Sequence, residues 1–359
     1  MAPARLVALA AVLVGSCLAT ATAGPAVANP SRARAPLARR TTIALTAPGV
    51  AAPVALRSGY PTSGPLRILL VPISWPGATQ IQTASRLEAM LAEASAYYAA
   101  VSQGRLEISG DVAAPVALQR VAYAGRGLAD GDVTDALAQS GVDLASYDRV
   151  VYAYPHIPDA DWNGQAAASL AEAGDWVDLN GDEPASQLEH ELGHTLGLEH
   201  AHALVCRGGI LTSRCSVDEY GDATDLMGSG SNASGSTFDA IERYQLGWLS
   251  HVGAVTRSGA FALGALDAPD ESASPRALVL ETPRGELWVE RAPARGTFFV
   301  HLADPSDSDW GSRLLEHAGN AGVFSQGSPF RAAGVTIRPL AAAGGILTLR
   351  ITVGERDQE

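Results

Sequence analysis

Apolar and polar positions along the chain change character more than once. Residues 24–65 are rich in Ala, Pro, Arg and Thr without a sustained period, so they read as a linker or propeptide. From Leu66 the run RILLVPISW is continuously apolar and β-branched, the mark of a strand buried on both faces. Over 79–103, Ile81, Leu87, Met90, Leu91, Ala94 and Tyr98 recur at helical spacing, and Gly104 follows as a stop. Strand-like stretches at 105–110 and 116–123, a helix near 131–140 and the strand RVVYAYP from Arg149 to Pro155 come next. The segments PDADWNGQ and DWVDLNGDEP follow, and the second reads as a polar turn before a helix. Asp178, Asn180 and Asp182 alternate in the second, which leaves Ca²⁺ as a minor reading, since a full calcium loop with its terminal glutamate is missing. A helix from about Pro184 to Leu196 and another over 236–249, burying Phe238, Ile241, Tyr244, Leu246 and Trp248, close this half of the chain.

Beyond 250 the period falls to that of short strands: AFALGAL, RALVLET, ELWVERA, TFFVHLA, GVTIRPL and GILTLRITV, separated by Gly, Pro, Asp and Ser. These predict an all-β, sandwich-like domain. His301 and His317 stand isolated within it and read as surface or packed residues. The expected division is 1–23 signal peptide, 24–65 linker or propeptide, 66–250 an α/β or α+β domain carrying the chemistry, and 251–359 the β domain.

Composition narrows the partners. The 359 residues are 47% hydrophobic and 18% charged, as in a globular protein, and the net charge of −13 argues against nucleic acid or an anionic membrane. All 25 basic residues are arginines. Arg5, the apolar run Leu6–Leu18 and the small residues after it have the three parts of an export signal, with a cut after Ala23 or Ala28. The run is short of the ~20 residues a membrane span needs. VGSC, ending at Cys17, also fits a lipoprotein signal, so a lipid anchor at Cys17 is the alternative to free secretion. If Cys17 is removed, Cys206 and Cys215 remain with eight residues between them, and a disulfide is the preferred reading over thiolate metal ligation.

The densest chemistry lies in HELGHTLGLEH, from His190 to His200. On a helix, His190 and His194 point the same way and can grip one metal ion, while Glu191 sits about 100° round, placed as a base and not as a ligand. Gly197 can take a positive φ, end the helix and bring His200 back toward the same ion. Three neutral imidazoles leave a tetrahedral Zn²⁺ one open position, the arrangement of a catalytic site. Met227 follows 27 positions after His200, in the turn YGDATDLMGSGS.

HELGHTLGLEHA, then YGDATDLMG, then FDAIERYQLGWL together resemble the metzincin metallopeptidases of the gametolysin, or autolysin, type. The resemblance is strong over 186–249, general over 66–185 and weak beyond 250, although ELWVERAPARGTFFVHL is similar to the β domain that follows in such secreted peptidases. It implies a twisted mixed sheet with long helices, an active-site helix and a methionine turn. It also implies zinc on His190, His194 and His200, Glu191 as catalytic acid and base, and Met227 as an apolar floor. The expected substrate is a polypeptide and the expected state a monomer. Some metzincins carry a tyrosine two residues after the methionine; here that position is Ser229, and Tyr220 is the substitute considered. Glu199 reads as supporting or solvated and His202 as a surface residue. No cysteine between Cys17 and Cys206 could silence the zinc from a propeptide. The readings set against a peptidase are an inactive binding module and a zinc hydrolase acting on cell-wall peptide or other amide bonds.

Overall fold

The structure is a computed structural model that describes residues 61–78, 82–118, 130–157, 160–167, 175–232, 236–269, 272–304, 311–317 and 321–354. All of these belong to one compact unit. The expected signal peptide, Cys17 and most of the linker lie outside the described residues.

The apolar run forms strand β1 (Gly64–Ser74), and its two faces explain why it is continuous. Leu66, Ile68 and Leu70 enter one core, which they share with Leu87, Met90, Ala94 and Tyr98 of helix α1 (Ala84–Val101). Leu69, Val71 and Ile73 enter another on the opposite face. Strands β2 (Leu106–Val112) and β3 (Val116–Ala117) pair parallel with β1, and Val133 and Leu137 of helix α2 (Asp130–Gln139) cover the second face. Strands β4 (Arg149–Tyr154), β5 (Gly164–Ala166) and β6 (Trp176–Asn180) complete a six-stranded mixed sheet. Its main path runs β2-β1-β4-β6-β5, with β5 antiparallel at the edge. Helix α3 (Ala185–Thr195) lies on the α1 face and buries Leu188 and Leu192 in the same core.

The segment read as a polar turn with a minor calcium reading is therefore mostly strand β6. Val177 and Leu179 point into the core. Asp178 accepts from Tyr154 Oη (3.1 Å) and Gln165 Nε2 (2.8 Å), and Asn180 Oδ1 accepts from the Ile157 amide (2.7 Å). Neighbours across the sheet satisfy these polar side chains, which is what allows them to be buried in a strand.

Strands β7 (His202–Cys206) and β8 (Cys215–Asp218) form a hairpin, clipped by the Cys206–Cys215 disulfide. Helix α4 (Ala240–Gln245) is shorter than the expected 236–249, because Asp239 caps its start by accepting from the Glu242 amide (2.8 Å) and Gly247, at φ 77°, ends it. The rest is sheet: β9 (Val252–Ala254), β10 (Gly259–Leu263), β11 (Ala277–Thr282), β12 (Gly285–Arg291), β13 (Phe298–Ala303), β14 (Arg313–His317), β15 (Phe330–Ala332), β16 (Val335–Ala343) and β17 (Ile346–Val353). A four-stranded sheet, β10-β17-β16-β15, shares one apolar core with a seven-stranded sheet, β8-β7-β14-β13-β12-β11-β9. The larger sheet takes strands from both sides of residue 250, with β14 parallel to β7. Among the described residues the fold is thus sheet-rich, with mixed sheets and four α-helices.

Candidate metal centre

Helix α3 is held from beneath by its apolar face and by Tyr98, whose hydroxyl donates to the Glu189 carbonyl (2.6 Å). Its end is a paired cap: the Leu198 amide bonds to Gly193 O (3.2 Å) and the Gly197 amide to His194 O (2.8 Å), with Gly197 at φ 90°. That left-handed turn costs a glycine little and folds the chain back, so His200 returns to the helix.

The donor atoms of His190, His194 and His200 lie within 4.8 Å of one another, so the group could hold a metal ion. Each ring is oriented through Nδ1. His190 donates to Leu226 O (2.7 Å), His194 to Leu198 O (2.8 Å) and His200 to Glu219 Oε1 (3.0 Å). Donation from Nδ1 leaves the lone pair on Nε2, the tautomer a metal needs, and such outer contacts fix ring direction. Burial pulls His190 down to about 4 and His194 to about 3, the latter helped by the charge of His190, so both are neutral ligands at neutral pH. Three imidazoles with no thiolate fit zinc in chemistry.

Glu191 is buried beside this group. Burial drives its carboxyl up to about 8, with the charge of Asp178 adding and the hydrogen bond from Gln187 Nε2 (2.7 Å) opposing. Edge strand β5 presses on it so closely that a Cβ at Gly164 would clash with Glu191 Oε1.

Met227 is fully buried, and a Cβ at Gly193 would lie 2.5 Å from its Sδ, so the glycine of HELGH is what lets the sulfur reach the helix. The turn around it is tied to the histidines twice: Leu226 O holds His190, and Met227 O accepts from the Ala201 amide (3.0 Å), next to His200. Asp225 Oδ1 in turn accepts from the Met227 amide (2.7 Å). The Tyr220 ring lies against His200 at 4.1 Å between centroids, tilted by 43°, and its carbonyl accepts from the Ser229 amide (2.8 Å).

Two histidines differ from their sequence readings, His202 in being buried and His301, read as surface or packed, in having a partner. His202 is buried, with Nδ1 donating to Glu219 O (2.6 Å). His301, on β13, is not isolated: its Nε2 meets Asp222 Oδ2 at 2.9 Å, and both residues are fully buried. Sequence reading also missed Glu219, the partner of His200, and the backbone acceptors Leu198 and Leu226. Only the acidic residues flanking Met227 in YGDATDLMG hinted at supporting polar structure.

No protein-family model matches the chain, and neither does any curated protein. Among solved structures, one described as a chaperone–substrate complex aligns with TM-score 0.32 and 18% identity over 50% of this chain. Another, described as metalloproteinase-II from Bacteroides fragilis, aligns with TM-score 0.33 and 14% identity over 54% of this chain. The chain spans 29% of the former's length and 54% of the latter's, and likenesses this low carry no weight for fold or chemistry. No helix among the described residues is long and apolar enough to cross a membrane.

Proposed function

We propose that this chain is a zinc-dependent endopeptidase of the gametolysin-like metzincin kind, with a catalytic part at 66–250 followed by a β part at 251–359. The observation that carries the reading is the set of three buried or half-buried imidazoles, all oriented through Nδ1, with the Glu191 carboxylate alongside. His190, His194 and His200 would hold the ion, with Met227 packed against their helix. Zinc held there would supply a Lewis acid that polarises a scissile carbonyl and acidifies a water. Glu191 would take a proton from the attacking water as the O–C bond forms and then deliver it to the amide nitrogen, which leaves as the C–N bond breaks. Gln187 holds the carboxylate in place through its 2.7 Å hydrogen bond. β5 offers the edge on which an extended polypeptide can add as a further strand, which places its backbone beside Glu191. Tyr220, whose ring lies against His200, would be the donor to the developing oxyanion. Secretion after cleavage near Ala23, with a lipid anchor at Cys17 as the alternative, and a monomeric state belong to the same reading.

The purified chain is expected to carry one zinc, to cleave denatured casein and to lose activity with a chelator. Glu191→Gln is expected to retain zinc and lose roughly 10²–10⁴-fold in turnover. Full activity in that variant sinks the mechanism. Zinc binding without cleavage of any polypeptide in a broad library sinks the peptidase assignment.

A further inference from the structure

A second group of ligating side chains lies under the Met227 turn. Asp225, from the turn, and Asp239 and Glu242, from the start of α4, are 1%, 3% and 2% exposed, and their oxygens lie within 4.8 Å of one another. Part of their hydrogen-bonding capacity is used: Asp225 accepts from the Met227 amide (2.7 Å) and the Asp239 amide (2.6 Å), and Asp239 Oδ1 from the Glu242 amide (2.8 Å). Asp239 Oδ2 and both Oε atoms of Glu242 are buried and accept no hydrogen bond. The hydroxyl of Tyr97, on α1 and within electrostatic reach of Asp225 and Glu242, is buried without a hydrogen-bond partner as well.

A carboxylate this deep needs a counter-charge or a proton. Asp222 and Glu290 add two more buried carboxylates nearby, and the cationic side chains facing the five are His301 and Arg243. His301 Nε2 lies 2.9 Å from Asp222 Oδ2 and 3.7 Å from Asp239 Oδ2, and Arg243 shares its charge with Asp267 at 2.8 Å, so two cations are divided among more carboxylates than they neutralise. Glu242 is left with two bare oxygens directed at Asp225 and Asp239.

We propose that Asp225, Asp239 and Glu242 form a second metal site, separate from the imidazole group, for a calcium ion. The donors are all oxygen, which selects a hard cation, and a dehydrated cage of protein oxygens suits Ca²⁺, whereas Mg²⁺ keeps much of its water. The ion would tie the Met227 turn to the first turn of α4. Its rival is a proton shared between Asp225 and Glu242, which lie close enough for one.

The test uses the zinc-loaded full chain, stripped of calcium on a chelating resin and then titrated with calcium. Elemental analysis after gel filtration is expected to find one calcium beside the zinc. The melting temperature is expected to rise by roughly 5–10 °C at a hundredfold excess over Kd. Terbium in place of calcium is expected to luminesce on excitation of tyrosine, and less so in Tyr97→Phe, which still binds. Glu242→Gln and Asp239→Asn are expected to weaken calcium binding at least tenfold with zinc content unchanged. A wild-type chain that retains no calcium and melts identically with and without it overturns the proposal and leaves the shared proton. Undiminished binding in Glu242→Gln, or binding of magnesium in preference to calcium, overturns it too. If the variants do not fold, terbium-soaked crystals of the wild-type chain decide: an anomalous peak among the three carboxylates supports the site, and its absence there rejects it.

Discussion

The pair formed by His301 and Asp222 gives a quantitative test of how the C-terminal strands support the candidate centre. Both side chains are fully buried and meet at 2.9 Å. His301→Leu fills a similar volume but leaves the Asp222 carboxylate without its cation. Removing one partner of a buried pair typically costs about 3–5 kcal/mol. Asp222 keeps the amide and hydroxyl of Thr224, at 2.8 and 2.7 Å, so the lower end applies, about 3 kcal/mol. For a fold of this size that is a fall of roughly 6–12 °C in melting temperature, to be measured by calorimetry beside urea denaturation.

A pH arm sharpens the test. Burial alone lowers the imidazole's pKa, but the charge of Asp239, the hydrogen bond to Asp222 and the charge of Glu290 outweigh it and raise it to about 10. An unfolded histidine titrates near ~6.5. The folded chain therefore binds the extra proton between about pH 6.5 and 10, so stability from this group is complete below 6.5 and lost as pH rises through 10. Burial also raises the buried carboxyls of Asp225, Glu242 and Glu290, so they too hold protons that the unfolded chain releases, and they tilt stability the same way. In calcium-free buffer the wild-type chain should lose stability steadily over that window, and His301→Leu should lose less. A variant within about 0.5 kcal/mol of wild type, or one with the same pH slope, refutes the reasoning, since surface substitutions already span that range.

Two further substitutions probe the centre. Gly193→Ala puts a methyl group where Met227 Sδ leaves no room, so we expect about 1–3 kcal/mol of overpacking and weaker zinc binding by competition assay, both relieved in the double variant with Met227→Ala. Wild-type zinc affinity in the single variant argues that the turn moves freely. Tyr220→Phe should lower kcat roughly 10²-fold with zinc content and KM unchanged, and a change within twofold removes the phenol from catalysis.

What could be read from the sequence is what depends on near neighbours. The spacing of His190 and His194, the stop at Gly197 and the return of His200 are all set within eleven residues, and the structure brings those three side chains together. The continuous apolar run of β1 was legible because both its faces meet apolar cores. The supports of the histidines were not, because Leu198 and Leu226 act through backbone carbonyls, which no side-chain pattern marks. β6 read as a turn because its Asp and Asn are satisfied by Tyr154, Gln165 and Ile157, residues 13 to 24 positions away. β7 and β14 went unseen for a related reason: each is a five-residue segment that, besides a nearby antiparallel partner, pairs with the other across more than a hundred positions. His301 looked isolated because its partner is 79 positions away.

The parallel pairing of β7 with β14 also bears on the order in which the chain is made. β7 starts two residues after His200, and the His202 amide bonds to Ser312 O at 2.8 Å. The strand that anchors the third imidazole therefore has an unpaired edge until Arg313–His317 has been synthesised. A nascent chain, or one truncated near 250, already contains HELGHTLGLEH together with Glu219, Tyr220 and Met227, but lacks the parallel partner of the strand that follows its last histidine. A chain still emerging from the ribosome therefore carries the motif before β7 has that partner.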